Sequence, residues 1–155
     1  MIAIALTPAE RQFFSRLNEL SVPYLVVGLS AAVLQGADTA TLDIDIWFQD
    51  RSDPRIADAA KRAGGVWIPG HFGMMPPTLG GDLLGDRLDV VLTASGLASF
   101  EIEYQGARQI EVDEIMLPVL PLERIICSKR AAGRMKDLAV LPALEAALAA
   151  TQSGG

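Results

Sequence analysis

The chain has 155 residues, 50% of them apolar, with a single cysteine and a formal net charge of −6. That length and composition suit one folded domain with its own core over residues 1–150 and exclude a disordered or collagen-like chain. The acidic balance lacks the broad basic footprint of a nucleic-acid binder, the lone Cys127 excludes an internal disulfide and a cysteine-rich zinc site, and no apolar run approaches the ~20 residues that span a bilayer.

Thr7-Pro8-Ala9-Glu10 is a helix start: Thr7 caps, Pro8 suits the first helical position and Glu10 completes a capping box. The helix is expected to run to about Leu20, with Phe13, Phe14, Leu17 and Leu20 as its apolar stripe. Tyr24–Val27 reads as a strand ended by Gly28. A short helix from Ser30 to Gln35 follows, and then a loop to Thr41. Leu42–Phe48 reads as a second strand, with Asp43, Asp45 and Trp47 on one face and Leu42, Ile44, Ile46 and Phe48 on the other. Asp53 caps a helix that ends at Gly64-Gly65, and Val66–Ile68 is a short strand.

Residues 69–86 are dense in glycine and proline and read as a long loop, the kind that often carries function. It holds His71, the only histidine, and an apolar group of Phe72, Met74 and Met75 near Trp67. Arg87–Thr93 reads as a strand, with Asp89 inside it and Asp82 and Asp86 as alternative acids before it. A helical turn is expected over residues 96–100, then short strands at 102–104, 107–112 and 115–119. Pro121 opens a helix to Ala132, Gly133 interrupts it, residues 134–141 are helical again, and Pro142 starts or kinks a last segment to about Ala150. Cys127 is expected to be buried as a small apolar residue, and residues 151–155 to be a disordered tail. Strands alternating with helices imply an α+β or α/β fold, a mixed sheet flanked by helices with a C-terminal helical segment. MIAIAL is too short for the apolar core of a signal peptide and no basic segment precedes it, so a cytoplasmic location is expected.

Three carboxylates on neighbouring strands can hold one or two hard divalent cations. Asp43 and Asp45 are the pair and Asp89 the natural third. Clustered without a cation, they would raise one another's pKa. Gly28 lets backbone approach a ligand closely where a strand becomes a helix. The amides there suit a phosphate, and Ser30 either adds a hydroxyl or caps the helix. Arg134 and Asp137, three apart, form a local pair.

The ordered set Val27-Gly28, Asp43-Ile44-Asp45 and Leu88-Asp89-Val90 resembles the nucleotidyltransferase superfamily of the DNA polymerase β type. The tail, ERIICSKRAAGRMKDLAVL over residues 123–141, resembles its small bacterial members related to abortive-infection and toxin–antitoxin nucleotidyltransferases. The resemblance spans about residues 7–149. It implies a nucleotidyltransferase-like fold, Mg²⁺ or Mn²⁺, and a nucleoside triphosphate as donor. Asp43, Asp45 and Asp89 would be catalytic metal ligands, with Asp89 also helping to activate the acceptor hydroxyl. Gly28, Ser30, Lys129 and Lys136 would contact the triphosphate, the two lysines from one face of a continuous helix. The acceptor would be a protein hydroxyl, a small molecule or an RNA end, with RNA the poorest match to the chain's charge. The pattern departs from the family at Leu29, where glycine or serine is usual, and in residues 37–41, where an arginine is common. These departures motivate an alternative, a weakly active or inactive binding module that partners another protein, such as a toxin or antitoxin component.

Overall fold

The computed structural model describes residues 4–68, 78–81, 84, 85, 87–92 and 94–153. Among the described residues thirteen elements follow one another: α1 (Pro8–Glu19), β1 (Tyr24–Val27), α2 (Gly28–Leu34), β2 (Ile44–Phe48), α3 (Pro54–Arg62), β3 (Val66–Ile68), β4 (Thr78–Gly80), β5 (Leu88–Val91), α4 (Phe100–Gln105), β6 (Arg108–Val112), β7 (Ile115–Val119), α5 (Leu122–Ala132) and α6 (Met135–Ser153). Five strands form one mixed sheet in the order β5-β2-β1-β7-β6, and β3 and β4 form a separate pair. β1 runs antiparallel to β2 and parallel to β7, β2 and β5 are parallel, and β6–β7 is a hairpin. The expected mixed α+β architecture is present. Among the described residues, no helix is long and apolar enough to cross a membrane.

The amphipathic pattern of α1 explains how it is held. Phe13, Phe14 and Leu17 are fully buried, each contributing roughly 1.5–3 kcal/mol. The capping box is formed: Thr7 Oγ1 accepts from the Glu10 amide at 3.1 Å, and Glu10 Oε1 accepts from the Thr7 amide at 3.0 Å. Glu10 is itself buried and ion-paired to Arg87 at 2.6 Å. Because the Arg87 carbonyl also accepts from the Ile44 amide at 2.7 Å, this one arginine ties α1 to the start of β5 and to β2. β1 is buried along its whole length, as a central strand must be.

Several expectations are corrected. Residues 102–104 lie in α4, not in a strand. Ser99 caps this helix, and Phe100 stacks on Tyr104 at 5.1 Å, the i, i+4 contact of a helix. The expected turn over 96–100 therefore precedes the helix instead of forming it. The glycine- and proline-rich segment is not all loop, since β4 pairs with β3. The acid-bearing strand starts at Ile44, so Leu42, expected on the face of Ile44, lies before the strand and is 87% exposed. Cys127 is only half-buried. α5 and α6 are separate helices. Gly133 closes α5 at φ 65°, a left-handed conformation that costs glycine nothing. Pro142 lies inside α6 without ending it, and the helix continues through residues 151–153, where a disordered tail was expected. His71, Phe72, Met74, Met75, Asp82 and Asp86 lie outside the described residues.

Candidate active site

β2 carries the centre of the site. In β2, Ile44, Ile46 and Phe48 are buried, while Asp45 is half-exposed. Its neighbours in register are Val27 on one side and Asp89 on the other, so the two carboxyl-bearing residues stand side by side on parallel strands. Asp43 lies just before β2, held by Thr41. The Thr41 hydroxyl accepts from the Asp43 amide at 3.3 Å and donates to the Asp43 carbonyl at 3.0 Å. Asp43 and Asp89 are both exposed.

The three carboxyls act on one another. Asp45 is pushed up from 3.8 to about 6, first by burial and then by the charges of Asp89 and Asp43, with Lys129 pulling the other way. Asp89 is raised as well, by burial, by the charge of Asp43 and by a hydrogen bond with it. This is the electrostatic cost that a divalent cation relieves, and an all-oxygen donor set suits Mg²⁺. Among the described residues, however, no three acidic, histidine or cysteine side chains converge into a ready ligand set. The chemistry of the donors fits a hard cation, and their present placement does not yet enclose one.

Gly28 is required by this arrangement. It has φ 65°, and a Cβ there would collide with the Asp45 carboxylate. The glycine therefore lets the first turn of α2 sit directly beside Asp45. Ser30 serves the same junction from inside. It is fully buried, and its hydroxyl donates to the Val27 carbonyl at 2.8 Å and accepts from the Asp45 amide at 3.1 Å. Both roles of the hydroxyl are thus taken by backbone. Ser30 is absent from the cleft lining, and Val27, not Ser30, is the N-cap of α2.

The cleft beside Asp45 has a volume of about 780 Å³. Gly28, Leu29, Asp43 and Asp45 line it together with Lys129, Arg134, Lys136 and Asp137. Thr41, Ser95 and Ser128 add hydroxyl-bearing residues that nothing in the sequence singled out. Asp89 is not part of the lining and adjoins it through Asp45. Leu29, the residue that departs from the family pattern, lies at the wall, partly buried against the core. Trp47 turns away. It is buried in an edge-on contact with Phe100 at 5.3 Å and does not wall the cleft.

The two lysines meet the cleft from different helices, Lys129 from α5 and Lys136 from α6, so their shared location does not come from a shared helical face. The local Arg134–Asp137 pair is formed at 2.6 Å. The sequence did not reveal the rest of it: Asp137 is buried and also accepts from Lys129 at 3.3 Å and from the Arg134 amide at 3.2 Å. These bonds hold its carboxyl down at about 2, the Arg134 side chain contributing most. The segment 94–99 at the rim is tied down by Glu103, which accepts from the Ala98 amide at 2.8 Å and pairs with Arg124 of α5 at 2.7 Å.

No family profile and no curated protein sequence matches the chain. Solved structures do. The crystal structure of ANT(2'')-Ia in complex with adenylyl-2''-tobramycin aligns with a TM-score of 0.59 at 16% identity, covering 91% of this chain and 88% of that one. The solution structure of the antibiotic-resistance factor ANT(2'')-Ia aligns with a TM-score of 0.58 at 13% identity, covering 94% and 90%. At such low identity the likeness concerns the path of the backbone, and on that ground the chain has a nucleotidyltransferase-like fold: a five-stranded mixed sheet flanked by helices, of the kind these aminoglycoside nucleotidyltransferases share.

Proposed function

We propose that this protein is a divalent-cation-dependent nucleotidyltransferase that moves a nucleoside monophosphate from a triphosphate to an acceptor hydroxyl. The observation that carries this reading is the placement of Asp45 beside Asp89, with Asp43 next to them, at a cleft that Lys129, Arg134 and Lys136 also line, in a nucleotidyltransferase-like fold. Asp43, Asp45 and Asp89 would hold Mg²⁺ or Mn²⁺. The cation would supply charge neutralisation to the transferring phosphoryl oxygens and the leaving pyrophosphate. Asp89, exposed and paired in register with Asp45, would take the proton of the acceptor hydroxyl. The Gly28 turn leaves room for the Asp45 carboxylate at the cleft. Lys136, which makes no ion pair among the described residues, and Lys129 provide positive charge across the cleft. Ser30 holds Asp45 in place from behind.

The structural neighbour was solved with adenylyl-2''-tobramycin, so an aminoglycoside hydroxyl with ATP as donor is the first combination to try, followed by protein hydroxyls and RNA ends. The decisive measurement is transfer of α-labelled nucleotide in Mg²⁺ by the wild type and by Asp45→Asn. Transfer by the wild type and none by the variant supports the reading. Equal transfer by both, or no binding of any of the four triphosphates, refutes it.

One observation favours a second reading, a nucleotidyltransferase-like module that binds a partner protein, for instance within a toxin–antitoxin pair. Leu29 occupies the cleft wall at the turn where a smaller residue would admit phosphate. Its signature would be co-purification with a partner that persists in Asp45→Asn, combined with no thermal shift by triphosphate.

A further inference from the structure

Asp137 is a carboxylate with 1% of its surface exposed, placed in the wall of a cleft that is proposed to receive a polyanion. An anion there is unfavourable for triphosphate binding unless it does something in return. Its bonds show what it does. Asp137 Oδ1 accepts from Lys129 Nζ at 3.3 Å, which comes from α5. Oδ2 accepts from Arg134 Nε at 2.6 Å and from the Arg134 amide at 3.2 Å, at the start of α6. One carboxylate therefore spans the break at Gly133 and fixes a cation on each side of it.

The division of labour between the two cations is unequal. Arg134 is 60% exposed along its side chain and supplies the strongest bond, so it compensates the Asp137 charge. The Lys129 side chain is only 20% exposed, and its charge is felt at Asp45 across the cleft. An ammonium has three donors, and Asp137 takes one at 3.3 Å. Among the described residues the Lys129 ammonium makes no other hydrogen bond, which leaves two donors for a ligand. A lysine stem has four rotatable bonds, and holding it in one conformation costs rotamer entropy. A neighbour that fixes the stem before the ligand arrives removes that cost from binding.

We propose that Asp137 is a positioning residue for nucleotide binding: it aims the Lys129 ammonium at the triphosphate, with Arg134 as its counter-charge. This inference rests on the proposed nucleotidyl transfer and deepens it. It assigns Asp137 a role in the affinity for the donor, not in the chemical step.

The test is isothermal titration of the full chain with each of the four ribonucleoside triphosphates in Mg²⁺, alongside steady-state transfer kinetics. Asp137→Asn is expected to weaken triphosphate binding by about tenfold to a hundredfold, as loss of neighbours that orient metal ligands does, and to raise KM with little change in kcat. Asp137→Glu keeps the charge but displaces the carboxylate by one methylene. It should keep the fold and still raise KM. Because Asp137→Asn alone leaves a cation unpaired and can compromise folding, Lys129→Met/Asp137→Asn is compared with Lys129→Met. The two should bind triphosphate within about threefold of each other, since Asp137 acts through Lys129. Unchanged triphosphate affinity in a folded Asp137→Asn or Asp137→Glu protein overturns the inference and leaves nucleotidyl transfer standing. So does a double variant that loses a further tenfold or more. A wild type that binds none of the four triphosphates overturns both.

Discussion

Asp45 on β2 and Asp89 on β5 are directly paired in a parallel register, and the two carboxyls raise the proton affinity of the site between them. Strand pairing that brings like charges together destabilises the fold, and a binding site is where such a cost is usually met. The site therefore carries a stability signature as well as a chemical one.

Asp45→Asn is expected to abolish nucleotidyl transfer and at the same time to stabilise the apo protein. The sign follows from linkage. Asp45 is raised from 3.8 to about 6, so the native state binds the proton more tightly than the unfolded chain does. Native stability is then gained as pH falls from about 6 towards 4, and the ionised acid is unfavourable above that window. At pH 7.5 the variant should melt a few degrees higher than the wild type, with ~3 kcal/mol as the ceiling set by such a shift. The difference should close by pH 4, and Mg²⁺ should raise the melting temperature of the wild type alone. Melting curves from pH 4 to 8 decide this, and a variant less stable than the wild type at pH 7.5 contradicts it.

Gly28→Ala puts a side chain where φ is 65° and where the Asp45 carboxylate already sits. The left-handed backbone alone costs about 1–2 kcal/mol, and displacement of Asp45 adds to it. Calorimetry should show a fall of roughly 5 °C or more, and transfer activity should fall further than stability does. A variant with wild-type activity would mean that the turn tolerates a shift of Asp45.

Ser30→Ala separates a structural serine from a phosphate-binding one. The hydroxyl bonds Val27 and Asp45 backbone groups in a fully buried position. Leaving those groups unpaired costs about 1–3 kcal/mol, so the melting temperature should drop. KM for the triphosphate should stay within about twofold if the hydroxyl has no ligand role. A large rise in KM without loss of stability would return Ser30 to the phosphate site.

Glu103→Gln loosens the rim. Glu103 is held below its ordinary value of 4.5, first by the Arg124 side chain. Its stabilisation is present above about pH 4.5 and is lost as pH falls through the lowered value. The expected cost at pH 7 is about 1–3 kcal/mol, below that of a fully buried pair because the Arg124 side chain is 37% exposed. Hydrogen exchange at the Ala98 amide should accelerate before global unfolding, and the difference from wild type should shrink below pH 4.5. Unchanged exchange at Ala98 would show that the rim is held by other contacts.

Local chemistry made much of this protein legible in advance. Thr7, Pro8 and Glu10 determine the start of α1 because a capping box is satisfied within four residues. Asp53-Pro54 does the same for α3. The apolar run of β1 and the alternation at residues 44–46 set Asp45 on the face opposite Ile44 and Ile46 without any tertiary information. Local signals were misread where two patterns overlapped. Ile102, Glu103 and Tyr104 alternate like a strand, yet Ser99 and the Phe100–Tyr104 spacing already spell a capped helix.

The sequence by itself determined the acids, the glycine turn and the starts of the capped helices α1 and α3, since each depends on neighbours within a few positions of the chain. Only the tertiary structure decided how they combine. The pairing of β2 with β5 brings Asp89 next to Asp45 across more than forty residues of chain. The break at Gly133 sends Lys129 and Lys136 to one cleft from two helices. Burial, which no linear pattern shows for a polar residue, turned Ser30 inward and made Asp137 the hub of an ion-pair network. The physical reason is the same in each case. Propensity and capping act over one turn of chain, whereas the protonation and partners of a carboxylate depend on the charges and packing that long-range folding brings within a few ångströms.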